Sequence, residues 1–312
     1  MSDASALVPQ PFADRVATYP LDPLDPLHPL HPRAGYAVTG AEWLRRLPRL
    51  LSELLEEWRL TPTGVVGWGY CAVVVAVDTD AGPAVLKVSW PHHEAVSEHL
   101  ALRHWDGHGA VRLLRADPHR FALLLERLDP TDLCSLPDEE ACEVVGTLLD
   151  RLRAPAIART PTLSAYVTRQ LEKPPPLHVL PRRFVDQGRR LAAELASEPG
   201  VDAYLLHSDL HYENVLRGER QPWLAIDPKP MAGDRAFEVA PVLWNRVGEL
   251  GTGSAFRWNV RRRLEVVCAG AGIDEDRAKA WTIVREVDNA GAEPPGSPGA
   301  SLAVALIKAM ND

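Results

Sequence analysis

The hydrophobic pattern of this chain changes at Asp129-Pro130, and this change constrains the fold more than any other feature. Between residues 64 and 126, short β-branched and apolar runs alternate with turn residues, which predicts five strands and one helix. Beyond residue 130 the apolar residues recur mostly at helical spacing. The sequence therefore predicts an α+β protein with an antiparallel sheet in its first part and a mainly helical second part.

Three local signals place elements in the first part. Thr39 and Glu42 form a capping-box pattern, so a helix is expected to begin there. A turn rich in Asp and Gly separates the apolar runs 71–77 and 84–88, which predicts a hairpin. A helix that starts at a proline is expected over 91–105.

The second part combines helical segments with a few short strands. The strands are expected near 203–206, 215–217 and 223–226, where they flank a polar run. The helices are expected over 137–153, 161–171, 182–197, 235–247, 256–272, 274–289 and 301–311.

Prolines recur at every third place from Pro20 to Pro32. This period suits an extended polyproline segment and excludes a helix or a central strand. We therefore expect three regions: a proline-rich N-terminal arm over 1–38, a first lobe over 39–128 and a second lobe over 129–312.

Composition excludes several classes of protein. The formal net charge of −8 argues against a protein that coats nucleic acid and is compatible with a cationic small substrate. The four cysteines are scattered without a CxxC pair, which indicates neither a zinc ribbon nor a disulfide framework. We find no basic-then-apolar leader and no apolar run of the roughly 18 to 20 residues that a transmembrane helix needs. These features predict a cytoplasmic protein with no nucleic-acid or membrane partner.

Gly64, Gly67 and Gly69 form a loop whose backbone N–H groups could approach phosphates, because glycine has no Cβ and tolerates positive φ. Such glycines also occur in ordinary hairpins, so the loop alone does not establish phosphate binding.

Lys87 lies in an otherwise apolar strand, where an unpaired ammonium group would be costly to bury. We expect it to pair with a glutamate of the next helix and with nucleotide phosphates. Glu98 is favoured over Glu94, although both fall on the same helix face. The alternative is a lysine on an edge strand that faces solvent.

The polar run from His207 to Asn214 follows a short predicted strand and contains Asp209, and a further carboxylate, Asp227, ends the apolar run 223–226. Phosphoryl transfer needs a base that orients the attacking hydroxyl and oxygen ligands that hold Mg²⁺ on the nucleotide phosphates. Asp209 can be that base, and Asn214 and Asp227 offer the hard oxygen atoms that Mg²⁺ prefers.

Two hydrolase interpretations of the same run are weaker. In a continuous strand, His207, Asp209 and His211 would share one face and could bind zinc or manganese. The segment has the composition of a loop, however, and no further histidine cluster completes a metal shell. A serine hydrolase built on Ser208 lacks the surrounding G-x-S-x-G pattern.

The chain resembles the aminoglycoside phosphotransferase family, whose fold is similar to that of protein kinases. The resemblance rests on five features in this order: the glycine loop, the strand lysine, the helix glutamate, the pattern H-x-D-x-x-x-x-N and the aspartate after a strand. The resemblance implies a bilobal protein-kinase-like fold with an antiparallel β-sheet N-lobe and a mainly helical C-lobe. The segments that are similar to the streptomycin 6-phosphotransferase and hydroxyurea phosphotransferase branch are 86–91, 109–114, 123–128, 206–216, 224–234 and 280–282.

The resemblance also implies the reaction. ATP, with Mg²⁺, would donate its γ-phosphoryl group to a hydroxyl of a small acceptor, with a streptomycin-like aminoglycoside as the leading class and antibiotic resistance as the consequence. The hinge from Glu126 to Leu128 would hold adenine, and the protein would be a monomer or a homodimer. The carboxylates that could bind a guanidinium or ammonium group of the acceptor are Asp234, Glu238, Glu286 and Asp288.

Three alternatives stay open at this point. The acceptor could be hydroxyurea or another small metabolite. The protein could bind a nucleotide without turnover, which the presence of Lys87, Asp209, Asn214 and Asp227 disfavours. The third alternative is the metal-dependent hydrolase.

Overall fold

The computed structural model describes residues 4–20 and 38–312, and the chain divides into two compact units, Met1–Asp129 and Pro130–Asp312. Within the two described ranges, no helix combines the length and the apolar character needed to cross a membrane.

The first unit begins with a 3-10 turn, Ala4–Leu7, and a helix, α1 (Gln10–Val16). Phe12 and Val16 are fully buried, and the Phe12 ring meets the Trp43 ring edge-on with centroids 6.1 Å apart. The expected extended arm over 1–38 is therefore wrong for this stretch, because two apolar side chains four residues apart anchor a helix in the core. The proline repeat over 21–37 lies outside the described residues.

The next helix, α2 (Gly40–Glu57), begins with the predicted capping box. The Glu42 N–H donates to the Thr39 hydroxyl at 3.2 Å, and the Thr39 N–H donates to the Glu42 carboxylate at 3.2 Å. Leu47 and Leu51, one turn apart, are fully buried in the core of the first unit. The cap fixes where the helix starts, and the apolar face fixes which side is buried.

The predicted five-stranded antiparallel sheet is confirmed, with the strand order β1-β2-β3-β5-β4. The register between the first two strands shifts between Pro62 and Val66, so this pair contains an irregularity around Gly64. The five strands are β1 (Thr61–Trp68), β2 (Ala72–Thr79), β3 (Gly82–Ser89), β4 (Leu113–Asp117) and β5 (Ala122–Glu126).

The helix expected over 91–105 is shorter than predicted. A 3-10 turn, His93–Val96, comes first, and the helix α3 (Glu98–Trp105) follows Ser97. The Ala95 N–H bonds to the His92 carbonyl three residues back, which is the tighter 3-10 pattern. Glu98 thus begins a helix instead of lying in its second turn.

In the second unit, short strands flank two loops. The strands β8 and β9 pair with each other beside β6, and β10 pairs with β7. Neither β6 nor β10 was expected from the sequence. The strands are β6 (Asp129–Asp132), β7 (Tyr204–Leu206), β8 (Val215–Arg217), β9 (Trp223–Ala225) and β10 (Met231–Gly233).

Helices make up most of the second unit. The helix expected over 235–247 is replaced by a 3-10 turn, Arg235–Glu238, and a four-residue helix, because Pro241 is tolerated only in a first helical turn. The helices are α4 (Asp138–Arg151), α5 (Leu163–Glu172), α6 (Arg182–Ala196), α7 (Ala240–Leu243), α8 (Gly253–Ala271), α9 (Glu275–Ala290) and α10 (Pro298–Asn311).

Candidate active site

In the first unit, Lys87 and Glu98 form a buried ion pair. Nζ of Lys87 lies 2.6 Å from Oε1 of Glu98, and the side chains are 9% and 5% exposed. Lys87 lies opposite Val74 of β2 and Leu123 of β5, so its strand is central in the sheet. The alternative of a solvent-facing lysine on an edge strand is therefore wrong.

Glu94 is placed differently from Glu98. It lies in the 3-10 turn before α3, its side chain is 41% exposed, and its carboxylate is 4.0 Å from Nε2 of His92. The break between the 3-10 turn and α3 separates the two glutamates, so Glu98 forms the buried pair. Of the two glutamates considered, the favoured one, Glu98, is thus the partner of Lys87, and Glu94 is not.

The structure places Gly64 and Gly67 within β1 and Gly69 directly after it, and the space beside all three is open. Gly64 has φ +85°, a conformation that favours glycine, and a Cβ placed on Gly64, Gly67 or Gly69 would meet no atom within 4 Å. Internal packing therefore does not require glycine at these positions. The loop is anchored just beyond them, where the Tyr19 hydroxyl donates to the Tyr70 carbonyl at 3.0 Å.

The predicted hinge lies at the end of β5. The N–H of Glu126 donates to the Arg112 carbonyl at 3.0 Å, and the Arg112 N–H donates to the Glu126 carboxylate at 2.7 Å. The N–H of Glu126 is thus already used within the first unit. Adenine binding by the segment from Glu126 to Leu128 stays a prediction.

In the second unit, the loop 207–214 joins β7 to β8, and the segment 226–230 joins β9 to β10. Three hydrogen bonds of 2.9 Å hold these loops together: the Ile226 N–H to the Asn214 carbonyl, the Lys229 N–H to the His207 carbonyl, and the His207 ring to the Ile226 carbonyl. Asp227 lies between two of these anchors. The pairing of short strands therefore brings the region of Asp227 to the loop that carries Asp209 and Asn214.

The two oxygens of the Asp209 carboxylate have different surroundings. Oδ2 is in contact with the Lys229 ammonium group, lies 3.5 Å from Nδ2 of Asn214 and lies 3.8 Å from Nε2 of His211. Oδ1 accepts no hydrogen bond from the residues that the structure describes. Nδ2 of Asn214 donates at 2.9 Å to the Asp209 carbonyl. The other polar atom of this side chain, Oδ1, is the one that could bind a metal ion.

Two residues of this site have the left-handed backbone conformation that glycine favours. Ser208 has φ +67° and Asp227 has φ +55°. Such conformations cost about 1–3 kcal/mol for other residues and persist only where the surroundings hold them. Ser208 directly precedes Asp209, so the positive φ values occur at and beside the two aspartates that the sequence analysis singled out.

Two charged side chains, those of Glu238 and Arg285, hold the backbone of the loop 207–214. The N–H groups of His207 and Ser208 both donate to Oε1 of Glu238, and the Arg285 guanidinium donates to the Ser208 carbonyl at 3.1 Å. Arg285 also donates to the Phe237 carbonyl at 3.1 Å. Burial raises the pKa of Glu238 to about 7, although the two N–H groups favour its charged form. Glu238 is therefore part of the loop support, and its expected contact with the acceptor stays a prediction.

Asp234 is likewise used inside the unit. Its carboxylate accepts from the Ala236 N–H at 3.0 Å, from the Trp281 indole at 2.7 Å and from Arg277 at 2.5 Å. This carboxylate caps a 3-10 turn and already accepts three hydrogen bonds. Its expected contact with the acceptor stays a prediction.

Glu286 and Asp288 each have one close internal donor. The Trp244 indole donates to Glu286 at 2.6 Å, and the Tyr166 hydroxyl donates to Asp288. Glu286 is buried, and burial raises its pKa to about 7. Their expected role in acceptor binding stays a prediction.

The geometry contradicts the metal-dependent hydrolase. Nδ1 of His207 accepts from the Asp209 N–H at 3.3 Å, so Nε2 carries the proton that bonds to Ile226. Burial lowers the pKa of His207 to about 4, which keeps the ring neutral. With both ring nitrogens engaged, His207 is a structural residue. Across residues 4–20 and 38–312, no group of three His, Cys, Asp or Glu side chains is arranged to hold a metal ion.

Sequence reasoning missed Lys229 and Arg285. Lys229 carried a signal, because a charged residue two places after a strand-end aspartate lies close to the same site. Arg285 carried none, since it is one of several arginines on amphipathic helices and only the packing of α9 reveals its role.

Comparison with known proteins gives the family. A model of the aminoglycoside/hydroxyurea antibiotic resistance kinase family matches residues 57–293. The streptomycin 6-kinase of Streptomyces glaucescens is 40% identical over 260 residues, which are 80% of this chain and 84% of that protein. The hydroxyurea phosphotransferase of Kitasatospora aureofaciens is 41% identical over 268 residues, which are 80% of this chain and 74% of that protein.

Solved structures agree on the fold. The crystal structure of the aminoglycoside phosphotransferase APH(4)-Ia aligns with a TM-score of 0.54 at 16% identity, covering 84% of this chain and 98% of that chain. At this identity the likeness shows the fold alone, which is α+β and kinase-like as the sequence predicted. From the family match and the identity to its relatives together, the chain belongs to the aminoglycoside/hydroxyurea antibiotic resistance kinase family.

Proposed function

We propose that this protein transfers the γ-phosphoryl group of ATP to a hydroxyl group of a small cationic acceptor, with a streptomycin-like aminoglycoside as the leading class. The observation that carries the proposal is the Asp209 carboxylate, which has one oxygen held by Lys229 and Asn214 and the other without a donor among the described residues. That second oxygen can accept the proton of an acceptor hydroxyl. The streptomycin 6-kinase relative supports this acceptor class.

The remaining residues divide by unit. In the first unit, Lys87, fixed by Glu98, would contact the α- and β-phosphates, the N–H groups of the glycine loop would approach the phosphates, and Leu128 would bind adenine. In the second unit, Oδ1 of Asn214 and the Asp227 carboxylate are hard oxygen donors of the kind that Mg²⁺ accepts. When bound, Mg²⁺ would neutralise charge on the nucleotide phosphates.

Hydroxyurea is the second candidate acceptor, because a hydroxyurea phosphotransferase is 41% identical to this chain. The cytoplasmic location and the monomeric or homodimeric state expected from the sequence also stay predictions.

The test is coupled ADP release with ATP and Mg²⁺ against streptomycin, other aminoglycosides and hydroxyurea. We expect turnover that depends on acceptor, stops with EDTA and falls about 10²–10⁴-fold in Asp209→Asn. The matched control is Asp186→Asn, at an aspartate that is 65% exposed on α6. If the acceptors give no turnover while ATP binds, the phosphotransferase proposal fails. A preference for hydroxyurea would overturn only the acceptor class.

A further inference from the structure

We propose that Lys229 is a positioning residue for phosphoryl transfer. Its ammonium group holds Oδ2 of Asp209, so that Oδ1 is presented to the acceptor hydroxyl. This inference rests on the proposed function, and it adds a residue that the family resemblance did not assign.

The contacts of the carboxylate point to this role. The nearby donors from the described residues are on one side: the Lys229 ammonium group, Nδ2 of Asn214 at 3.5 Å and Nε2 of His211 at 3.8 Å all approach Oδ2. The amide of Asn214 is directed mainly to the Asp209 carbonyl at 2.9 Å, and the histidine lies beyond hydrogen-bonding distance. Lys229 is therefore the principal contact that sets the rotation of the carboxylate.

The backbone fixes Lys229 relative to Asp209. The Lys229 N–H donates to the His207 carbonyl at 2.9 Å, only two residues before Asp209. Pro228 precedes the lysine and restricts its own φ to about −65°. The ion pair thus joins two loops of one unit that are already hydrogen-bonded to each other.

The reaction explains why the rotation matters. The acceptor oxygen forms a bond to the γ-phosphorus, and the bond from that phosphorus to the β,γ-bridging oxygen breaks, with its electron pair leaving on ADP. The proton of the acceptor hydroxyl passes to Oδ1 of Asp209. The torsion that turns a carboxylate about its Cβ–Cγ bond is broad, so a carboxylate without a fixed partner samples many orientations. A misplacement of about 1 Å can reduce a rate by about 10²-fold.

Stability and catalysis can be separated at this pair. The side chain of Lys229 is 34% exposed and that of Asp209 is 16% exposed. A partly solvated ion pair contributes little to folding, so a substitution of Lys229 should leave the thermal midpoint near that of the wild type.

The test compares Lys229→Met and Lys229→Arg with the wild type and with Lys173→Met, a control at an exposed lysine beyond the end of α5. We expect Lys229→Met to lower kcat for acceptor phosphorylation by about 10–100-fold with KM for ATP and the thermal midpoint unchanged. Lys229→Arg should recover part of kcat, because it restores the cation with a different geometry.

The outcomes distinguish this inference from the function on which it rests. Wild-type turnover with an acceptor, lost in Asp209→Asn, supports the function whatever Lys229 does. If Lys229→Met then keeps wild-type kcat, or loses activity only together with thermal stability, the positioning role is overturned. A wild-type protein without phosphotransfer would overturn the function itself.

Discussion

The buried pair of Lys87 and Glu98 leads to the sharpest stability prediction. Their charged atoms are 2.6 Å apart, and both side chains are less than a tenth exposed. Removing one partner of a buried ion pair generally destabilises a protein by about 3–5 kcal/mol. Replacing both partners by apolar residues of similar volume is often neutral or stabilising. We therefore expect Lys87→Met and Glu98→Gln each to destabilise the protein strongly, and Lys87→Met with Glu98→Met to restore stability.

Urea unfolding, followed by circular dichroism and tryptophan fluorescence, measures these effects as shifts in the midpoint. The double variant should have near wild-type stability but should not bind ATP. This result would mean that the pair is needed for nucleotide binding and not for folding. If Lys87→Met lowered the free energy of unfolding by less than about 1 kcal/mol, the pair would behave like a solvent-exposed ion pair, and the prediction would be wrong.

Three further predictions concern other regions. Phe12→Ala should destabilise the protein by about 3–5 kcal/mol in urea unfolding, because a fully buried ring leaves a cavity beside Trp43; an effect below about 1 kcal/mol would mean that α1 is not part of the core. Ser208→Gly should be more stable than Ser208→Ala by about 1 kcal/mol, since both remove a buried hydroxyl that has no partner among the described residues and only glycine relieves φ +67°; equal midpoints would argue against backbone strain. Burial raises the pKa of Glu286 to about 7, above the ordinary 4.5, so the folded state keeps a proton that the unfolded state releases. Stability should then fall by at most about 1.4 kcal/mol per pH unit between pH 4.5 and 7, and the advantage of Glu286→Gln over the wild type should grow in that window. Unfolding midpoints measured across this range would contradict the shift if the difference between the two proteins stayed constant.

The fold was predictable where sequence patterns are local. The capping box of Thr39 and Glu42, and the alternating runs of the five-stranded sheet, were recognised because their signals lie within a few residues of one another. The strands β6 and β10 were missed because their residues, Asp-Pro-Thr-Asp and Met-Ala-Gly, lack the apolar and aromatic character of the similarly short strands β7 to β9. The helix α1 was not predicted because the proline repeat that follows it led us to expect an extended segment over the whole N-terminal region.

The contacts of the candidate site were predictable only in part. The cost of burying an unpaired ammonium group pointed to a partner for Lys87. Because β3 is central in the sheet, Lys87 is buried, and its partner Glu98 is buried with it. Glu238 holds a backbone loop and Asp234 caps a turn, and in sequence such carboxylates look the same as carboxylates that bind a ligand. The contact of Lys229 with Asp209 depends on the pairing of β8 with β9 and of β10 with β7, because these pairs bring their two loops together. Such pairing between distant segments is not visible in the sequence.

The central claim is that Asp209 directs phosphoryl transfer from ATP to an aminoglycoside hydroxyl. The most direct measurement is mass spectrometry of streptomycin after incubation with ATP, Mg²⁺ and either the wild type or Asp209→Asn. The account predicts that the wild type adds one phosphoryl group to the acceptor and that the variant, folded to the same thermal midpoint, leaves it unchanged. Unmodified streptomycin with the wild type would contradict the proposed acceptor, and equal phosphorylation by both proteins would contradict the role of Asp209.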